Sequence, residues 1–166
     1  MLGLNWCASV AERKAPLPSD ELLPGARTRC DRAISIDASL PLVFRWLCQL
    51  RIAPYSYDVL DNLGQRSPRQ LIPGLERLQV GQRFMRIFTL ASFAPDDHLT
   101  LCGPGVAVTY AIRPRAEGSR LHARVLFKAP GGRLGDALVG RPLALGDLVM
   151  MRKQLRTLKE LAEHGV

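Results

Sequence analysis

The chain has little of what most recognisable chemistries require. Its three histidines, His98, His122 and His164, are scattered, and its four cysteines, Cys7, Cys30, Cys48 and Cys102, form no CxxC pair. No zinc-ligand spacing can be drawn from them. Thiols spread this way are expected to be reduced and mostly buried. There is no G-x-S-x-G elbow, no P-loop and no complete GxGxxG. The Gly131-Gly132-Arg133-Leu134-Gly135 run lacks the helix-opening pattern of a phosphate loop and reads as a hinge. No metal and no cofactor is therefore expected. No segment reaches the roughly 18–20 apolar residues of a membrane span. In MLGLNWCASVAERK the charges follow a short apolar stretch, the reverse of a secretory signal, which makes the cytoplasm the expected location.

Lysine is scarce as well. Of 23 basic residues only four are lysine, set against 15 acidic ones, for a net charge of +8. Such an excess can attract nucleic acid, anionic lipid or an acidic partner. The arginines, however, are spread from Arg13 to Arg156 without a polybasic run, and read as a solvated surface. The basic set Arg113, Arg115, Arg120, Arg124 and Lys128 has no interleaved aromatics, so no nucleic-acid partner is expected.

What is present is patterning. At 166 residues, 47% of them hydrophobic, the chain suits one domain with a full core. Residues 1–28 carry Pro16, Pro18, Pro24 and Gly25 and read as an extension that contributes little to the core. In residues 30–36, Cys30, Arg32, Ile34 and Ile36 share one face of a first strand. Ser39 and Pro41 then open a helix whose Val43, Trp46, Leu47 and Leu50 form a buried stripe, ended by Pro54. Residues 57–63 read as a second short helix stopped by Gly64, and 65–81 as a loop.

From Gln82 the period changes to two. Strands are predicted over 82–93, 98–102, 106–113 and 119–128. Val106, Val108, Tyr110 and Ile112 take one side; so do Leu121, Ala123, Val125 and Phe127. Arg120, His122 and Arg124 fall on the opposite, solvent-facing side. Residues 129–142 read as a flexible connection. Leu148, Met151, Leu155, Leu158 and Ala162 then mark a long terminal helix over 143–164. Strands and helices are segregated, which argues for an α+β domain and against a parallel βαβ sheet.

This order, with ISIDASLPLVFRWL at its opening, LQVGQRFMRIF in its middle and LGDLVMMRKQLRTLKELAE at its end, resembles the START and birch-pollen-allergen-like superfamily, SRPBCC. The likeness is to its polyketide cyclase/dehydrase and lipid transport subgroups and covers residues 29–164. It implies a helix-grip fold: a curved antiparallel sheet wrapped around a long C-terminal helix, with two short helices after the first strand. It also implies a cavity for an apolar or amphipathic small molecule, but names none.

The ligand-binding candidates are Val108, Tyr110, Ala123, Val125 and Phe127 from the strands, and Met151 and Leu155 from the helix. Small Ala123 would leave room beside larger neighbours. Tyr55 and Tyr57 would orient the ligand at the mouth, and Arg86 (or Arg83) would reach inward to a polar group or to Asp147. The leading expectation is a non-catalytic binder or carrier of a lipid, polyketide or aromatic metabolite. The alternative is a cofactor-independent cyclase/dehydratase using Tyr55, Tyr57, Arg86 and His98.

Overall fold

Alternation in the second half of the chain becomes antiparallel pairing, with one register shift, between Leu90 and Ser92. The structure, a computed structural model, describes residues 4–56, 67–85, 87–131, 135 and 140–164. The strands are β1 (Asn5–Trp6), β2 (Thr28–Ile36), β3 (Arg83–Phe84), β4 (Phe88–Ala94), β5 (His98–Gly103), β6 (Val106–Pro114) and β7 (Ser119–Phe127). They form one curved sheet in the order β1-β2-β7-β6-β5-β4-β3. Every pair is antiparallel except β1 with β2.

The turn between β6 and β7 shows why Gly118 stands there. Its φ is +78°, and a Cβ would lie 2.2 Å from the Ile36 carbonyl oxygen, so both conformation and space demand glycine. The helices are α1 (Val10–Lys14), α2 (Ser19–Leu22), α3 (Leu40–Cys48), which runs on into a 3₁₀ turn over Gln49–Arg51, and α4 (Arg141–His164). Ser39 takes the N-cap position of α3 with extended backbone, though its side chain makes no capping bond. The stripe Val43, Trp46, Leu47 and Leu50 is buried as its spacing predicts. The α4 helix lays Met151, Leu155, Leu158, Leu161 and Ala162 on the concave face of the sheet; Leu148 is only half-buried. This is the helix-grip arrangement.

Three expectations are corrected here. The segment 82–93 is a hairpin, not one strand: Phe84 pairs with Phe88, and Met85 takes φ +42° at the reversal. The extension is not loosely packed. Its β1 joins the sheet edge beside β2, with Leu4 and Trp6 packed against the core, and the residues that follow cover the outer face, burying Ala8, Leu17 and Ser19. For the same reason His122 and Arg124 are not solvent-facing but buried, because alternation says which face a side chain takes and not what lies over it. The predicted helix over 57–63, with Tyr57, Asp58 and Asp61, lies outside the described residues, as does Arg86.

On that outer face Arg124 donates to Asp31 Oδ1 at 2.9 Å and to Asp20 Oδ2 at 2.7 Å. It also donates to the carbonyls of Glu12, Arg13 and Ala15, the unsatisfied C-terminal end of α1. His122 Nε2 meets Asp31 Oδ1 at 2.9 Å, and Arg120 donates to Glu12 Oε1 at 2.7 Å. Burial pushes the Asp31 carboxyl up, but hydrogen bonds from His122 and Arg124 outweigh it and hold the group below its usual range. Burial likewise opposes Glu12, and the bonds from Arg120 and Ser9 bring it down to about 2.

Candidate functional site

Register sets the site. Arg32 on β2 pairs with Ala123 on β7, which pairs with Tyr110 on β6, so one row across the concave face reads arginine, alanine, tyrosine. All three are buried. The alanine methyl is small enough to let two large polar side chains flank it. Ala123 is flanked by Arg32 and Tyr110 within a packed core that also holds Val108, Val125, Met151 and Leu155, with Phe127 half-buried against it, so the space expected beside the alanine is occupied by its neighbours.

The helix answers that row with its own polar groups. Ala144, Asp147, Met151, Gln154 and Leu158 follow the 3-4 spacing of the inward face of α4, so Asp147 and Gln154 point at the sheet. Arg32 Nη2 donates to Asp147 Oδ2 at 3.0 Å and to the Ala144 carbonyl at 3.3 Å, and its Nη1 donates to the Leu4 carbonyl at 3.0 Å. Tyr110 Oη donates to Gln154 Oε1 at 2.7 Å, and Gln154 Nε2 donates to the Pro54 carbonyl at 2.6 Å. A continuous chain therefore runs from the middle of the sheet, through the helix, to the segment that carries Tyr55. That tyrosine is buried, holds φ +54°, and meets the Trp46 ring edge-on at 6.0 Å between centroids.

Burial drives the electrostatics. It pushes the Asp147 carboxyl up to about 6, against the opposing pull of Arg32. Burial, with the nearby Asp147 charge, also raises the Tyr110 phenol. The same two causes lift the neighbouring Cys30 thiol to about 11, so it stays protonated and inert at neutral pH. The site thus joins a permanent cation, a carboxyl that titrates near neutrality, a neutral phenol and an amide, all in apolar surroundings.

The arginine that meets Asp147 is Arg32, not Arg83, which is exposed on the short edge strand β3. His98 stands on the opposite face from Tyr110; it binds Asp97 at 2.8 Å and does not join Tyr55 or the inner row. The set proposed for a cyclase is therefore not assembled among the described residues. Asp147, Gln154 and Arg32 had a sequence signal: each is the polar member of an otherwise inward-facing apolar series.

Of the described residues, two sets line open pockets, and Ala123 belongs to neither. One pocket, of about 110 Å³, is lined by Tyr55, Ser56, Ser67, Arg69, Lys153, Thr157 and Leu161, beside α4. The other, of about 360 Å³, lies between the extension and β2, against Arg13, Lys14, Arg29 and Asp31. Among the described residues no group of three side chains gathers to hold a metal ion, and no helix is long and apolar enough to cross a membrane.

No family model matches the chain, and no curated protein matches its sequence. Solved structures do match its fold. The protein SSP2350 from Staphylococcus saprophyticus superposes with a TM-score of 0.52 at 13% identity, covering 83% of this chain and 93% of that one. Protein BH1534 from Bacillus halodurans gives 0.51 at 11%, covering 84% and 100%. The KanY protein gives 0.51 at 13%, covering 80% and 94%. At these identities the likeness concerns fold alone, the helix-grip arrangement of a curved sheet around a long terminal helix.

Proposed function

We propose that the chain binds a small, largely apolar molecule bearing an oxygen function, held between the concave face of the sheet and α4 over the row Arg32–Ala123–Tyr110. One observation carries this reading: the wholly buried Arg32 meets Asp147 at 3.0 Å on the inward side of α4, a charged pair set inside an apolar core beside Ala123 and Tyr110. A carboxyl whose folded pKa is raised weakens the fold as it ionises, so at neutral pH the Arg32–Asp147 pair does not offset its own desolvation. A charged pair that destabilises its own core is better explained by what it binds than by what it stabilises. Ligand pockets of this kind are apolar with a few directing groups, and Arg32, Asp147 and Tyr110 are such groups for a carbonyl, hydroxyl or carboxylate. Tyr55, buried beside Pro54 and the Gln154 amide, would orient the polar end of the ligand. Tyr57 and Arg86 complete the proposed lining. The extension, residues 1–28, is held to the helix-grip part, residues 29–164, through the buried outer network.

Native mass spectrometry of freshly purified protein tests the reading. An apolar adduct retained by the wild type and lost from Tyr110→Phe is expected. Protein that is bare from every expression host and binds no apolar probe would sink it.

A second reading rests on the same carboxyl. With a pKa of about 6, Asp147 is placed to exchange a proton with a substrate carbonyl at neutral pH, as a cyclase or dehydratase requires. Multiple turnover of a polyketide-like substrate, abolished in Asp147→Asn while the ligand still binds, would separate it from simple carriage.

A further inference from the structure

The first half of α4 exposes what a helix in a grip normally hides. Leu145 is 51% and Val149 54% exposed, and Leu143 and Met150 are exposed with them. Leu145, Val149, Arg152 and Arg156 recur at spacings of four, three and four, so they form one narrow stripe along the outward side of the helix. The two arginines at the end of this stripe brace the half-buried Trp6 ring at 5.6 and 5.8 Å. The outward side is therefore apolar at one end and basic and aromatic at the other.

Charge pairing sharpens the asymmetry. The acids of α4 all have cations: Asp147 has Arg32, Glu160 has Arg69 at 2.6 Å, and Glu163 has Lys159. Arg152, Lys153 and Arg156 join no ion pair among the described residues. Lys153 also lines the 110 Å³ pocket with Arg69, Ser56, Ser67 and Thr157, a set of cations and hydroxyls one turn from Val149.

We propose that this side of α4 docks on an anionic lipid surface, Leu145 and Val149 entering the headgroup–acyl boundary while Arg152, Lys153 and Arg156 meet lipid phosphates. Helices that lie in an interface combine an apolar patch with flanking basic and aromatic groups in this way. A second copy is disfavoured as the occupant, because a symmetric contact would bring the same three cations together without carboxylates between them. Nucleic acid would leave the exposed leucine and valine without a role. The chain's net charge of +8 adds long-range attraction to an anionic surface. The inference stands apart from ligand binding in the grip, since it concerns the opposite side of the helix and is read without any cargo. Where both hold, the docking face lies directly above Asp147, and cargo would pass between membrane and grip at that end.

Co-sedimentation of the full chain with vesicles tests it, comparing phosphatidylcholine alone with phosphatidylcholine containing about a third phosphatidylglycerol. Binding to the anionic vesicles is expected, at least tenfold above the neutral ones, and falling when salt screens the charges. The Leu145→Ser/Val149→Ser double variant should lose at least fivefold, with its melting temperature unchanged because both positions are exposed. Lys153→Gln should lose about fivefold, the equivalent of ~1 kcal/mol for one basic residue at such a surface. Equal binding to both vesicle types would overturn the proposal, as would undiminished binding by a folded double variant. A concentration-dependent dimer abolished by that same variant would assign the face to a second copy instead.

Discussion

Arg124 and Asp20, 104 residues apart in sequence, meet at 2.7 Å on the outer face of the sheet. The same guanidinium holds Asp31 within the sheet and closes the carbonyl end of α1, so one side chain ties the extension to the grip. Replacing Arg124 with methionine removes a wholly buried cation, leaves Asp31 to His122 and Arg29, and takes this donor from the carbonyls of Glu12 and Ala15. A loss of about 3–5 kcal/mol is expected for breaking such a network from one side. Deleting residues 1–28 should act in the same direction, lowering the melting temperature by about 10 °C or more. A deletion mutant that melts as the wild type does would show that the extension merely rests on the sheet.

Acid should release this extension before it opens the grip. Asp31 and Glu12 both have folded pKa values depressed below their unfolded ones. Their contribution is therefore present above the unfolded carboxylate pKa and is lost as pH falls toward the folded values. Hydrogen exchange at pH 3 should show amides of residues 9–22 opening while those of β6 and β7 remain protected. Simultaneous loss of both sets would contradict a separable clasp.

Asp147 has the opposite sign. Its folded pKa of about 6 lies above the ordinary aspartate value, so its contribution is fully present below pH 4 and is lost as pH rises through 6. Asparagine imitates the protonated carboxyl at all pH values. Wild type and Asp147→Asn should thus be close in stability at pH 4, with the variant ahead by roughly 3 kcal/mol at pH 8, the worth of about two pKa units. Denaturant titrations across that range decide it. A variant that loses ground as pH rises would mean that the ion pair with Arg32 stabilises the core, and would remove the chief support for the binding reading.

The parts of the molecule that local pattern determines were legible. Alternation over 106–113 and 119–128 placed Val108, Tyr110, Ala123 and Val125 on the face that does meet the helix, and the 3-4 spacing around Met151 and Leu155 placed the helix on them. Trp46 went inward with its stripe. The hairpin at Met85 was harder to see, since no glycine or proline marks the reversal and the positive φ falls on a methionine. The outer face was not legible at all. An alternating Arg120, His122, Arg124 has the same pattern whether water or a docked segment covers it, and only long-range partners such as Glu12 and Asp20 decide between them. The inner site lay between these extremes. Arg32 amid Cys30, Ile34 and Ile36, and Asp147 between Ala144 and Met151, each broke an apolar series, yet nothing local says that the two breaks face each other.

Ala123 offers the most direct test of where a ligand sits. Because it separates Arg32 from Tyr110, adding volume there pushes on both. Phenylalanine would overpack the row and cost the fold about 1–3 kcal/mol or more, too much for a test that must leave the structure intact. Valine adds two methyl groups and keeps the strand geometry favourable. Ala123→Val should melt only a few degrees lower while binding of 8-anilinonaphthalene-1-sulfonate or a native apolar ligand weakens at least tenfold. Ala111 supplies the control. It is equally buried on the neighbouring strand but faces outward, pairing with His98 and His122. Ala111→Val should lower the melting temperature by a similar amount and leave binding unchanged. If the two variants bind alike, the loss at Ala123 reflects general loosening, and the ligand does not lie over the Arg32–Tyr110 row.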